Sequence, residues 1–191
     1  MKHFTLISVI LFITAAIGIA ITPSLPIRVV IPTMILLFSS YHYHPRTVTL
    51  ALVFACMGDV AGATGHFLYQ ATFFAFCHLT LSYFLSHQPQ RQTDKRSTIK
   101  RCLWGAYFTA VAAVCTYIVV NIDIWAMQGV VVLYTVCITA MCYLAMCSGS
   151  WMFTLGAMCF ILSESFIGLN RFTHLLEGSW LLIHVPYYTA L

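Results

Sequence analysis

Apolar residues run through this chain in blocks of about twenty, the length that crosses a bilayer as one helix. One long hydrophilic stretch, His87 to Arg101, interrupts them. In hydrocarbon every backbone amide and carbonyl must find its partner inside the structure, so such blocks select helices. Hydrophobic residues make up 61% of the 191 and charged residues 7%, against about 25% charge in a soluble domain. That leaves too little polar surface to cover a globule, which excludes a soluble enzyme, and too much apolar surface for a disordered chain. The expectation is an all-α polytopic membrane bundle of about eight transmembrane helices, forming a single transmembrane domain over residues 1–191. Any function then sits in the bundle or at its rims.

The predicted helices run to Ile21, then over 27–40, 46–64, 69–86, 102–120, 125–147 and 150–169. The last begins between 173 and 179 and ends at Leu191. The first run has the outline of a signal peptide, but no small-x-small cleavage site follows and the run is long enough to span. Pro23 and Pro26 mark a turn, since proline cannot continue a helix. Tyr41 to Pro45 reads as an aromatic loop at the interface. Its His42 and His44 have metal-binding spacing, and a solvated loop is the simpler reading. Arg91, Lys95, Arg96, Lys100 and Arg101 place the 87–101 segment in the cytoplasm. Counting helices outward from it puts both termini inside as well, and leaves Arg28 and Arg171 outside. The net charge of +4 is too sparse and too concentrated in that loop to point to nucleic acid. Eight cysteines contain no CxxC pair and lie nearly all within apolar segments, where cysteine behaves as a small hydrophobe. No metal-ligand cluster is visible, and no cofactor is expected.

The informative residues are those that an apolar bundle should not contain. An acid inside a membrane helix costs a few kcal/mol and marks a functional site by default. Of the five acids, Asp94 is in the loop, Asp123 and Glu177 lie near helix ends, and Asp59 and Glu164 fall well inside apolar runs. Each lies five residues before the expected outer end of its helix, roughly 8 Å at 1.5 Å per residue. His78 on the fourth helix belongs to the same half of the bilayer. His66 follows Asp59 by seven residues and Arg171 follows Glu164 by seven, nearly two helical turns. An acid below and a cation-capable group about 10 Å above, with Arg28 at the same outer level, would suit a phospholipid headgroup over a reacting centre. Snorkelling to the interface is the competing reading for both arginines, and an interhelical hydrogen bond is the competing reading for the acids. Gly58 and Gly62, four apart, permit close helix approach.

These residues carry a resemblance. The sequence resembles the YhhN-type family of multi-pass membrane proteins, whose animal members are lysoplasmalogenases. Gly58-Asp59 looks like the family's Gly-Asp motif, and Phe67, Phe74 and His78 look like its Phe/His helix. The most specific match is Gly156-Ala157, Phe160, Ser163-Glu164-Ser165 and Asn170-x-Phe172. Tyr187-Tyr188-Thr189-Ala190 is similar to the closing Tyr-Tyr-x-Ala motif. The sequence departs from the pattern where Glu164 replaces Asp, Leu81 replaces Tyr, Gln70 replaces Gly, and Leu191 stands where Gln is usual.

The resemblance implies hydrolysis of the vinyl ether of a lysoplasmalogen to a fatty aldehyde and a glycerophospho-headgroup. Its substrate partner would be a lysophospholipid drawn from the surrounding membrane lipids. Asp59 and Glu164 would be catalytic, with His78 positioning a carboxyl group, water or substrate. Arg171, Arg28, His66, Asn170, Tyr187 and Tyr188 would bind substrate. Family and brevity point to a bacterial inner membrane. The residue chemistry agrees: a proton donor and a second carboxylate share work in the same way in glycosidases. Two other readings stay open on the residues alone. Intramembrane acids and histidine also build proton-coupled transporters, although paired broken helices are not seen. A non-catalytic lipid-binding protein would keep the same fold.

Overall fold

A computed structural model describes residues 2–21, 26–43, 45–88, 98–173 and 180–191. Eight α-helices follow one another: α1 (Lys2–Ile21), α2 (Val30–Tyr43), α3 (Arg46–Ala63), α4 (Phe67–Ser86), α5 (Thr98–Val120), α6 (Trp125–Cys147), α7 (Trp151–Thr173) and α8 (Trp180–Ala190). A short 3₁₀ turn, Pro26–Val29, leads into α2. The eight helices match the expected count, and no strand occurs among the described residues. Four helices in that set are long and apolar enough to cross a membrane: α3, α6, α7 and the Cys102–Val120 part of α5. The protein is an integral membrane protein.

Several boundaries move. α2 continues through Tyr43, so Tyr41, His42 and Tyr43 are helical where a loop is expected. No glycine or proline between Thr33 and Tyr43 breaks the helix. Pro45 itself is extended (φ −54°, ψ 142°), and its carbonyl accepts from Val48 N–H at 2.9 Å, closing the first turn of α3. α5 begins four residues early and α7 ends four residues late. Arg91, Lys95, Arg96, Asp94 and Glu177 lie outside the described residues, as do His44 and the side chains of His42, Lys100 and Arg101.

The chain divides into two compact units, Met1–Phe84 with Leu191, and Leu85–Ala190. In the first, α2 packs on α1 and α3, and the 3₁₀ turn packs on α3. The inner stripe of α3 is Ala51, Ala55, Gly58 and Asp59, while Leu50, Met57 and Val60 point outward. Small residues inside and large apolar ones outside is the pattern of helices that associate in lipid. α4 comes close to this stripe. A Cβ added at Gly58 would stand 2.9 Å from the Phe74 ring, and one at Gly62 would stand 2.8 Å from the end of the Gln70 side chain. Phe54 and Phe76 meet across the same pair of helices, with ring centroids 5.4 Å apart.

These two glycines should respond differently to alanine. Phe74 is only 2% exposed, so its ring has nowhere to go. Gly58→Ala should cost about 1–3 kcal/mol from overpacking, partly offset by the better helix propensity of alanine. Gln70 is half-buried and its amide can swing aside, so Gly62→Ala should be near neutral. Thermal unfolding in detergent measures both. Equal melting temperatures for the two variants would show that α3 and α4 do not pack through Gly58.

In the second unit α7 packs on α5, α6 and α8. The Gln128 side chain donates to the carbonyls of Val119 (3.3 Å) and Ile122 (2.8 Å), tying α6 to the end of α5. Pro186 lies inside α8, where it removes a backbone donor and crowds the preceding turn. The Ser163 hydroxyl on α7 donates to the Ile183 carbonyl in that turn at 2.8 Å. Neighbouring serines stabilise proline-interrupted membrane helices in this way. At Gly156 an added Cβ would stand 3.2 Å from the Ala190 carbonyl oxygen, so glycine lets α7 approach the end of α8.

Candidate functional site

Asp59 and His78 lie in the core of the first unit. Asp59 is 6% exposed and His78 is fully buried. Asp59 shares the small-residue stripe of α3, which allows neighbouring helices near enough to bond its carboxyl group. It bonds Thr33 on α2, 0% exposed. The Thr33 hydroxyl donates to Asp59 Oδ2 at 2.5 Å. A second cross-bond, Ser40 Oγ to Thr49 Oγ1 at 3.3 Å, joins the same two helices farther along. The pairs Gly58–Phe74 and Gly62–Gln70 set the antiparallel register of α3 and α4. That register brings Asp59 level with Phe73 and His78 level with Phe54. His78 therefore stands about five residues, roughly 8 Å, farther along the unit than Asp59. They share one interior on successive levels.

Arg28 and His66 lie at the end of this unit nearer to Asp59. Arg28 is exposed in the 3₁₀ turn, five residues before Thr33. His66 is exposed as well, edge-on to Tyr69 with centroids 6.0 Å apart. Its relation to Asp59 is not the expected one. α3 ends at Ala63, Gly65 takes φ 80°, and the chain turns. The His66 N–H bonds the Ala61 carbonyl at 2.9 Å and the Gly65 N–H bonds the Gly62 carbonyl at 3.0 Å. This paired closure is a Schellman motif, which needs a residue such as glycine at the left-handed position. Helical face-sharing cannot be counted across it, so only the common end of the unit survives from that expectation.

In the second unit Glu164 is half-buried on α7, beside the fully buried Ser163. α7 is helical through Thr173, so Arg171, seven residues on, does share its face about 10 Å away along the axis. Arg171 is exposed and Asn170 half-buried. Glu164 lies nine residues before the end of its helix, roughly 13 Å, whereas Asp59 lies four before Ala63, roughly 6 Å. The five-residue spacing expected between each acid and its helix end does not hold, because α3 ends at Ala63 and α7 runs past Leu169.

Tyr187 and Tyr188 are 4% and 7% exposed and belong to packing between α7 and α8. Tyr187 meets Phe160 edge-on with centroids 5.9 Å apart, and its own centroid is 5.4 Å from that of Tyr188. The Phe160 and Tyr-Tyr motifs thus form one seam. His184 extends the seam and was not singled out from sequence. It is 7% exposed, its ring lies 3.8 Å from that of Trp180, and its Nδ1 donates to the Trp180 carbonyl at 2.8 Å. A carbonyl only accepts, so the bond puts a proton on Nδ1. The rule that singled out His78, an ionisable residue inside an apolar helix, also applied to His184. Thr33 carried no such signal.

Among the described residues no group of three metal-ligating side chains comes together, and the eight cysteines are all free thiols. Neither the curated proteins nor the solved structures contain a significant match to this chain. The model of the YhhN family matches residues 14–191, nearly the whole length. The chain belongs to the YhhN family.

Proposed function

We propose that this protein is a membrane-embedded hydrolase that cleaves the vinyl ether of lysoplasmalogens. The observation that carries the reading is the buried Asp59, an acid in a membrane helix held by an interhelical hydrogen bond. The chain belongs to the YhhN family, and the resemblance to that family, whose animal members are lysoplasmalogenases, suggests the substrate class.

The chemistry asks for little. A carboxylic acid gives its proton to the outer carbon of the vinyl ether, leaving an oxocarbenium ion stabilised by the ether oxygen. Water adds to the carbon bearing oxygen and returns a proton to the carboxylate. The resulting hemiacetal collapses, its hydroxyl proton passing to the departing glycerol oxygen. The products are a fatty aldehyde and the glycerophospho-headgroup, and the acid is regenerated. Asp59 is the favoured proton donor, Glu164 the candidate second carboxylate. An apolar setting suits both roles, because it strengthens electrostatic interactions and limits competing water. His78 is assigned to orienting substrate or water. Arg28, His66 and Arg171, all exposed near helix ends, are assigned to the phosphate, where a charge-assisted contact would fix the headgroup. Asn170 takes a supporting role there. Tyr187 and Tyr188 are assigned to shaping the substrate-bearing face of α8 through their packing.

Purified protein in detergent, given a lysoplasmalogen, should release fatty aldehyde in equal amount to the glycerophospho-headgroup. The saturated ether analogue, which cannot be protonated at carbon, should be left intact. Bound lysoplasmalogen without aldehyde release would instead favour a lipid-binding protein. Proton-coupled movement of solute in liposomes, again without aldehyde, would favour a carrier.

A further inference from the structure

Threonines in these helices follow one habit. Thr72, Thr80, Thr109, Thr116 and Thr135 each donate the side-chain hydroxyl to the carbonyl four residues back in the same helix, at 2.7–2.8 Å. That bond satisfies the hydroxyl locally and needs no neighbour. Thr33 makes a bond of another kind: its hydroxyl reaches Asp59 on another helix, at 2.5 Å, from a position with no exposure. Val30 and Thr33 are both buried while Ile31 and Met34 point outward, so packing fixes which way α2 presents this hydroxyl. Thr33 follows Pro32, whose ring holds the backbone of the first turns of α2. The hydroxyl is thus aimed by the helix that carries it.

We propose that Thr33 is the positioning residue of Asp59. It holds the carboxyl group in one orientation through Oδ2 and stabilises the carboxylate left behind once the acid has given up its proton. The inference rests on the reading of Asp59 as the proton donor, and it goes beyond that reading by naming the residue that sets the donor's geometry. A positioned acid donates along one line, and a misplacement of about 1 Å can cost on the order of 10²-fold in rate.

Two variants separate positioning from packing. Thr33→Val keeps the shape and removes the hydroxyl, whereas Thr33→Ser keeps the hydroxyl and removes a methyl group. Thr33→Val should lower kcat about 10–100-fold with KM unchanged, because the lost contact acts on the acid and not on lipid binding. Thr33→Ser should recover most of the rate. Infrared difference spectroscopy supplies a readout independent of turnover. The Asp59 carboxyl band, identified by its loss in Asp59→Asn, should shift in Thr33→Val and return in Thr33→Ser. A Thr33→Val enzyme with parental kcat and an unmoved band overturns the proposal. So does an equal loss in both variants accompanied by lower melting temperatures, which marks Thr33 as a packing residue. If the parent protein releases no aldehyde, the hydrolase reading fails by itself. The infrared comparison then still decides whether Thr33 holds the Asp59 carboxyl group.

Discussion

Asp59→Asn should leave a folded protein that releases aldehyde from lysoplasmalogen about 10²–10⁴ times more slowly than the parent, the usual cost of losing a general acid. The substitution is nearly isosteric. The Asn carbonyl oxygen can still accept from the Thr33 hydroxyl, and α3 keeps its small-residue face toward its neighbours. Stability should therefore change little, and the melting temperature in detergent checks that. What disappears is the ability to give a proton to carbon, since a carboxamide is no acid. The expected kinetic form is a fall in kcat and kcat/KM together with KM nearly constant, because the lost interaction exists only in the transition state. Parental turnover by Asp59→Asn would remove Asp59 from the chemistry. The carboxyl group would then be what its bond to Thr33 also allows, a polar link between α2 and α3.

The contrast between Asp59 and Thr33 shows how far the sequence could be read. An acid in an apolar run is conspicuous because its burial is expensive, so Asp59 stands out in a single sequence. A threonine in the same setting is commonplace, because it can always turn its hydroxyl to its own helix. Only the placement of α2 against α3 shows that Thr33 also reaches an acid on the next helix. Helix count and type were legible for the same reason as Asp59: blocks of apolar residues have one stable form in lipid. Depth was not. It is counted from helix ends, and those shift: α7 is helical through Thr173, past the expected end at Leu169. The misplacement of His66 has a sharper cause. Glycine favours the left-handed position that ends a helix, and Gly65 takes it, so the seven-residue spacing from Asp59 to His66 is not helical. Tyr187 and Tyr188 illustrate the opposite limit: a motif can be read from sequence while its burial against Phe160 cannot.

Glu164→Gln should lower the rate by about 10²–10⁴ as well, and Glu164→Asp should keep most of the activity. The first expectation follows from the oxocarbenium ion. Once the vinyl ether is protonated, positive charge needs a fixed anion or an activated water, and Gln supplies neither. The second follows from the family resemblance, in which the usual residue at this position is Asp. Shortening Glu164 by one methylene therefore tests whether α7 holds the carboxylate at a distance set by side-chain length. Ser163 helps fix that distance, because its bond to the Ile183 carbonyl pins the preceding turn to α8. If the two acids serve one transition state, Asp59→Asn combined with Glu164→Gln should be far less damaging than the product of the single losses, as groups acting as a unit are not additive. Independent, multiplying losses would mean that each acid acts on a different step. A Glu164→Gln enzyme with parental aldehyde release would leave the acid chemistry to Asp59 alone, and water would add to the oxocarbenium ion without a second carboxylate.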